Sequence, residues 1–330
     1  MWIDLDEKRK ISILEQVGNQ IGLPAFAVEK DWWICLILNA VFRSKYAEFI
    51  IFKGGTSLSK AYGIIDRFSE DIDLIIDRHL LGFDELTSNS QIKKLRKVSG
   101  GFIINAFREE LIHQLNTLGI DPDKYEIRYN HKVDDTSDPN TLEVYYESVV
   151  AASSPYIEKR VLLEMGARSL TEPSEKRTIT SFIDEQYLDS SFCLPSMEVL
   201  VIIPTRTFIE KALLLHEEFS KPIDKIRMVR LTRHLYDLEK LMDTQYGLKA
   251  IEDHKLFETI VRYRKTVNPL RGMDYSNHKR ETLNLIPPTE KLKDWESDYK
   301  TMQDNMIVGE SLKWSELIAR IREIERRFRD

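Results

Sequence analysis

The sequence predicts an α+β protein, with N-terminal helices and an α/β core over residues 1–195 and a helical part over 196–330. Three observations carry this. Short β-branched and aromatic runs alternate with helical stretches as far as "KRVLLEMGAR". Beyond "LPSMEVLVII" the apolar spacing is helical. The chain has 330 residues, 42% apolar and 31% charged, the composition of a globular protein large enough for two domains.

"KRKISILEQVGNQIGL" has helical periodicity, and Pro24 opens a second segment. "AFAVEKDWWICLILNAVF" is apolar nearly all round after Asp31, which predicts a buried helix. "EFIIFK" is a short buried strand ending at Gly54-Gly55, "TSLSKAYGI" a short helix, and "DIDLII" a second strand. "GGFIINAFREELIHQLNTLG" is a long helix stopped at Gly119. "KYEIRYN" and "TLEVYYESVV" read as strands paired around the turn-rich "DDTSDPN", and "KRVLLEMGAR" as a further strand. Helices follow in "PTRTFIEKALLLHEEFSK", "KIRMVRLTRHLYDLEKLM", "DHKLFETIVRYRKTV" and "KWSELIARIREIERRFRD".

Composition narrows the function. No apolar run approaches the ~18–20 residues of a membrane span, and "MWIDLDEKRKISILEQ" has no secretory apolar region. Cys35 and Cys193 make no disulfide framework and read as free thiols of a cytoplasmic protein. The net charge of −6 excludes a generic polyanion binder but leaves room for a local basic surface.

The chemistry concentrates in "FKGGTSLSKAYGIIDRFSEDIDLII". In a strand, residues two apart share a face, so Asp71 and Asp73 stand together while Ile72 and Leu74 point into the core. Two such carboxylates repel each other unless a cation lies between them. Mg²⁺ takes a few carboxylates plus phosphate oxygens and serves phosphoryl transfer. Gly54 and Gly55, at a helix start, let backbone N–H groups approach a phosphate, with Thr56 and Ser57 adding hydroxyl donors. Arg67 and Ser69 stand just before the aspartates, within reach of phosphate or metal-bound water. A lone D-x-D is usually a surface strand feature and a lone Gly-Gly a turn; their combination in one unit carries the signal.

That combination resembles the AbiEii toxin family of nucleotidyltransferases, which includes the MenT-type toxins of mycobacteria and lies in the polymerase-β-like nucleotidyltransferase superfamily. "AVEKDWWICLIL" is similar to the family's N-terminal helix, "KGGTSLSKAYGIIDRFSEDIDL" to its first motif, and "RTFIEKALLLHE" and "RHLYDLEKL" to its later lysine and aspartate motifs. The resemblance covers most of residues 25–245. It implies a polymerase-β-like core in which Gly54, Gly55, Thr56 and Ser57 grip an NTP, and Asp71 and Asp73 hold Mg²⁺ or Mn²⁺. It implies that Ser69 bears on activity and is a phosphorylation target in some relatives, that Lys211 meets phosphate oxygens, and that Asp237 orients the lysine or the base. Without it, Lys211 reads as a solvated helix residue, and Asp237 as the partner of Arg233 one turn away. A polymerase-like site often has a third carboxylate; Glu164 in "VLLEMGAR" is the candidate, its alternative being an edge residue paired with Arg168.

Relatives of this kind add nucleotides to the 3′ end of tRNA, blocking translation, and are neutralised by an antitoxin; phage defence is the associated setting. The basic candidates for RNA are Arg227, Arg230 and Arg233, then Arg262, Arg264 and Lys265 with Tyr263 interleaved, and Arg271. Taken singly, each is more simply a solvated helix residue paired with an acid. Competing readings are nucleotidylation of a protein hydroxyl, a non-enzymatic nucleotide-binding module, and a HEPN-like RNase using Arg227 and His234 on one helix.

Overall fold

The computed structural model describes residues 1–129, 133–151, 158–188 and 190–330. The chain forms two compact units, residues 1–62 with 68–202, and residues 63–67 with 203–330. The first unit thus keeps the strand at 197–202, and the second takes the short 63–67 stretch.

The first unit opens with α1 (Glu7–Ile21), where the Asp6 side chain accepts from the Arg9 N–H, and which stops at Gly22 with φ 74°. In α2 (Ala25–Arg43) every residue from Phe26 to Val41 is buried, Glu29, Lys30 and Asp31 included. Trp32 meets Trp2 at a ring separation of 5.0 Å, and Trp33 stacks on Tyr146 at 4.9 Å. These contacts make α2 the spine of the main core, where each large apolar side chain contributes about 1.5–3 kcal/mol.

A seven-stranded sheet lies against it. Its strands are β1 (Ile50–Lys53), β2 (Asp71–Ile76), β3 (Tyr125–Arg128), β4 (Asn140–Tyr146), β5 (Arg160–Gly166), β6 (Ser174–Ile179) and β7 (Met197–Ile202). Their order is β3-β4-β5-β2-β1-β7-β6. The pairs β1–β7 and β2–β5 are parallel and the rest antiparallel. Asn130, the last residue of the expected strand "KYEIRYN", lies outside the described residues. The unit's helices are completed by α3 (Gly54–Lys60), α4 (Asn89–Phe102), a π turn at Ile103–Phe107, α5 (Arg108–Thr117) and α6 (Phe182–Gln186). The long helix therefore begins well before Gly100-Gly101, at a Ser88 cap, and the glycines sit inside it.

The second unit is helical: α7 (Pro204–Phe219), α8 (Thr232–Leu241), α9 (Gln245–Glu252), α10 (His254–Val267), α11 (Leu292–Met306) and α12 (Trp314–Arg329). Pro204 opens α7, where its missing N–H costs nothing. Phe208 stacks with Phe328 at 6.0 Å, and Phe219 meets Trp295 edge-on at 4.8 Å. The 63–67 stretch is fastened by the Val308 N–H, which donates to the Asp66 carbonyl at 2.8 Å. No helix among the described residues is long and apolar enough to cross a membrane.

Candidate functional site

The glycine-aspartate motif is built in the first unit. The glycines do not precede the helix; they are its first residues, with Lys53 at the cap position. Gly54 has φ +83°, a conformation that favours glycine. A Cβ placed on it would fall 2.8 Å from Asp73 Cγ and closer still to Asp73 Oδ2. Gly54 is thus the residue that lets the Asp73 carboxylate lie against the start of α3.

The hydroxyls that follow are turned inward. Thr56 is 2% exposed and Ser57 is fully buried. Thr56 Oγ1 donates to the Asp71 carbonyl at 2.5 Å, and Ser57 Oγ donates to the Gly54 carbonyl at 2.9 Å. Ser69 Oγ lies 2.9 Å from Thr56 Oγ1. Since the one Thr56 proton goes to the Asp71 carbonyl, the Ser69 hydroxyl is the donor of that bond. Both Thr56 and Ser57 were expected to offer donors to a triphosphate; instead they latch α3 to β2 and to itself.

On β2, Ile72 and Leu74 are buried in the main core while Asp71 and Asp73 occupy the opposite, half-buried face. Further along that face Ile75 is buried with Ile51 and Ile202, so the carboxylates stand at the strand's entry. Asp73 is in register with Glu164 on β5 and with Lys53 on β1. At ~7 Å, two carboxylates repel each other by roughly 2 kcal/mol at an effective dielectric of about 20. A divalent cation reverses the sign of that interaction. Among the described residues no three acidic, histidine or cysteine side chains converge to hold an ion. Mg²⁺ needs no such cage, because one or two carboxylates suffice when water and phosphate oxygens complete the octahedron. The donor set of Asp71 and Asp73, hard oxygens only, fits that ion, and Glu164 is placed beside them. Arg168, the alternative partner considered for Glu164, is bonded to Asp138.

Two buried ion pairs flank the motif, and neither was anticipated. Lys30 Nζ is 2.6 Å from Glu70 Oε2, with both side chains almost fully buried, and also donates to the Glu158 carbonyl at 2.9 Å. Asp31 Oδ1 lies 2.9 Å from Lys60 Nζ at the end of α3, and Asp31 Oδ2 accepts from the Phe182 N–H at 2.8 Å. The Lys60 ammonium stands 4.0 Å over the Phe182 ring. A signal for these ions was present: a helix apolar all round leaves no solvated face for the charges of "VEKDWW".

The second unit holds another buried cluster. Arg67 Nε and Nη2 grip Asp237 Oδ1 and Oδ2 at 2.7 and 2.8 Å, and Lys211 Nζ reaches Asp237 Oδ2 at 2.8 Å. His234 Nδ1 lies 3.5 Å from Lys211 Nζ. Burial alone would raise the Asp237 carboxyl, but the two cations hold it far below the usual carboxylate range. Burial lowers the Lys211 ammonium against the pull of Asp237, and burial with the Lys211 charge beside it keeps the His234 ring well below its ordinary value. His234 is therefore neutral, with Nδ1 facing the Lys211 donor. Lys211 is no solvated helix residue, and Asp237 answers to Arg67 and Lys211 as its ion partners. Arg67 was expected to reach toward phosphate; its guanidinium is committed to Asp237.

A family model described as nucleotidyl transferase AbiEii toxin, type IV toxin–antitoxin system, matches residues 36–323. The chain belongs to that family. The AbiEii assignment makes it a toxin-family nucleotidyltransferase, an enzyme class whose substrate is an NTP. Among solved structures it is similar to MenT4, a nucleotidyltransferase toxin from Mycobacterium tuberculosis H37Rv, at 17% identity and a TM-score of 0.43, over 96% of this chain and 97% of that one. No curated protein matches.

The basic residues of this AbiEii chain fall into two groups. Arg262 and Lys265 are exposed on α10, whereas Arg264 beside them is bonded through Nε to Glu217 at 2.9 Å. Arg227 binds Glu218 at 2.7 Å and, with Arg230, precedes α8 rather than lying on it. Arg230 adopts φ +62°, and the Asp298 carboxylate collects the Arg230 N–H at 2.8 Å and the Thr232 hydroxyl at 2.6 Å. That tertiary cap starts the helix at Thr232, so Arg227 and His234 do not share a helix and the RNase pairing loses its geometry.

Proposed function

We propose that this chain moves a nucleotide from an NTP onto RNA, at the 3′ acceptor end of tRNA, in a metal-dependent reaction that blocks translation, and that a cognate antitoxin neutralises it. The observation that carries the reading is the close seat of Asp73 against Gly54 on a strand face that also presents Asp71, with Glu164 in register beside it. Asp71 and Asp73 are the residues that would hold Mg²⁺ or Mn²⁺, and Glu164 is the nearest candidate for a third carboxylate, in register with Asp73 on the neighbouring strand. A divalent ion there supplies charge stabilisation for the phosphates and lowers the pKa of an attacking hydroxyl. Gly54 and Gly55 offer the backbone approach to the triphosphate, since the Thr56 and Ser57 hydroxyls are already bonded within the protein. Ser69, donating to Thr56, keeps the segment before Asp71 in place.

In the second unit, Lys211 is the cation assigned to a phosphate group. Asp237 is held by Arg67 through two nitrogens and by Lys211 through one, so Lys211 is the member of the cluster able to turn to a phosphate. Arg262 and Lys265, exposed on α10, are the best placed of the basic residues to meet an RNA backbone, with Arg230 a further candidate; Arg264 acts by ordering that helix against Glu217.

The test is incubation of the purified protein with Mg²⁺, total tRNA and each α-labelled NTP in turn, alongside Asp71→Ala. Label entering tRNA in the wild type and lost in the variant is the expected result. Label entering protein alone, or none entering either, would overturn the RNA assignment.

A further inference from the structure

We propose that Lys30 is a positioning residue for the metal-binding face of β2, acting through Glu70. This rests on the assignment of Asp71 and Asp73 to a divalent ion, and it concerns a residue that lies before the segment matched by the family model.

Glu70 sits between Ser69 and Asp71, immediately before β2. Successive side chains of an extended segment point to opposite sides. With Glu70 drawn inward to Lys30 at 2.6 Å, Asp71 is directed to the other face, the one that carries Asp73. A one-residue slip of this segment would exchange them, placing Glu70 on the outer face and Asp71 in the core. Lys30 is equipped to prevent that. It is 2% exposed, it is part of the buried spine α2, and its ammonium has a second acceptor in the Glu158 carbonyl. The Lys30–Glu70 contact is a tether from the most buried helix of the unit to the residue adjoining Asp71. The neighbouring residue makes a matching contact: Asp31 holds Lys60, at the far end of α3 from Gly54. Two consecutive charges of α2 thereby fix both chain segments that bring Gly54 and Asp73 together.

A buried ion pair is weak support for stability, since desolvation offsets most of its attraction. What it supplies here is register, and the register decides which carboxylates face an ion.

The experiment measures Mn²⁺ binding by electron paramagnetic resonance in the presence of a non-hydrolysable NTP analogue, for the wild type and for Asp71→Ala, Lys30→Met, Glu70→Ala and Glu70→Gln. Folding is checked by circular dichroism. Lys30→Met and Glu70→Ala remove the tether and should weaken Mn²⁺ binding at least tenfold. Glu70→Gln retains an oxygen acceptor for Lys30 and should stay within about threefold of the wild type. If Lys30→Met does not fold, Glu70→Ala carries the same test. Folded Lys30→Met and Glu70→Ala proteins that bind Mn²⁺ as the wild type does would overturn the positioning role. So would an equal loss in Glu70→Gln and Glu70→Ala, which would mean that the Glu70 charge itself meets the ion. A wild type that binds no Mn²⁺, or binds it no better than Asp71→Ala, removes the metal assignment itself and this proposal with it.

Discussion

Replacing Gly54 by alanine perturbs the site through one methyl group, and the structure separates its two effects. The first is backbone strain. At φ +83° an L-residue other than glycine costs about 1–2 kcal/mol. For a unit of this size that lowers Tm by roughly 2–8 °C. The second effect is local. The new Cβ would overlap the Asp73 carboxylate, whose Cγ lies 2.8 Å from its position, so the carboxylate must rotate away. Displacing a reacting group's ligand by about 1 Å costs on the order of a hundredfold in rate. Gly82→Ala is the matched control: φ is +77° there, and a Cβ meets nothing within 4 Å. Both variants are assayed for thermal unfolding and for transfer of labelled nucleotide at saturating Mg²⁺. Gly54→Ala should lose about a hundredfold in transfer, while Gly82→Ala shows a similar fall in Tm with activity intact. Equal activities for the two variants would refute the assignment of Gly54 as the seat of Asp73.

Thr56→Val leaves the Asp71 carbonyl without its donor and should cost about 1–3 kcal/mol, whereas Thr56→Ser keeps the bond and should unfold near the wild-type temperature. Asp237→Ala strands two buried cations and should destabilise the second unit by about 3–5 kcal/mol, read as a large loss in Tm or of soluble protein. Acid lability has a signed prediction. Burial and the adjacent His278 hold the His216 ring down from 6.5 to about 4, so its contribution to stability is complete above pH 6.5 and is lost as pH falls toward 4. Glu217, which burial would raise, is brought from 4.5 to about 2 by the adjacent His278 ring and by Arg264, so its contribution is lost at lower pH, between 4.5 and 2. Tm measured against pH should fall in both windows, and His216→Asn should remove the first while keeping an acceptor for the Asn284 N–H. Arg262→Ala with Lys265→Ala should raise KM for tRNA about tenfold with little change in kcat, and should flatten its salt dependence.

The sequence showed most of this where charge and periodicity disagree. Asp71 and Asp73 were legible because they interrupt an apolar strand with period two, and Gly54 because it closes the preceding strand. Strand β6 was not: at the sheet edge "SEKRTI" carries charges on both faces and has no apolar alternation to mark it. The beginning of α8 was hidden for a different reason. Arg230 takes a left-handed conformation held by Asp298, a residue 68 positions away, and local propensity carries no record of such a partner. The direction of the Thr56 and Ser57 hydroxyls was equally beyond reach. A hydroxyl beside a glycine pair suits a phosphate or a carbonyl alike, and only the packing of α3 on β2 decides.

Buried charge is the feature that joins these findings. Lys30 and Glu70, Asp31 and Lys60, and Asp237 with Arg67 and Lys211 are all removed from water, although apolar residues of similar size would stabilise a core as well or better. Cores tolerate such groups where geometry matters more than stability. In the first unit the pairs join α2 to the segment before β2 and to the end of α3, and what they impose is direction. In the second unit Arg67 holds Asp237 through two nitrogens and Lys211 meets it through one. A two-point pair keeps its geometry when the third member is removed, and the member held at one point is the one able to turn to another anion. On that reasoning Lys30→Met should act through metal affinity, whereas Lys211→Met, which keeps the Arg67–Asp237 pair, should leave the fold stable and raise KM for the NTP.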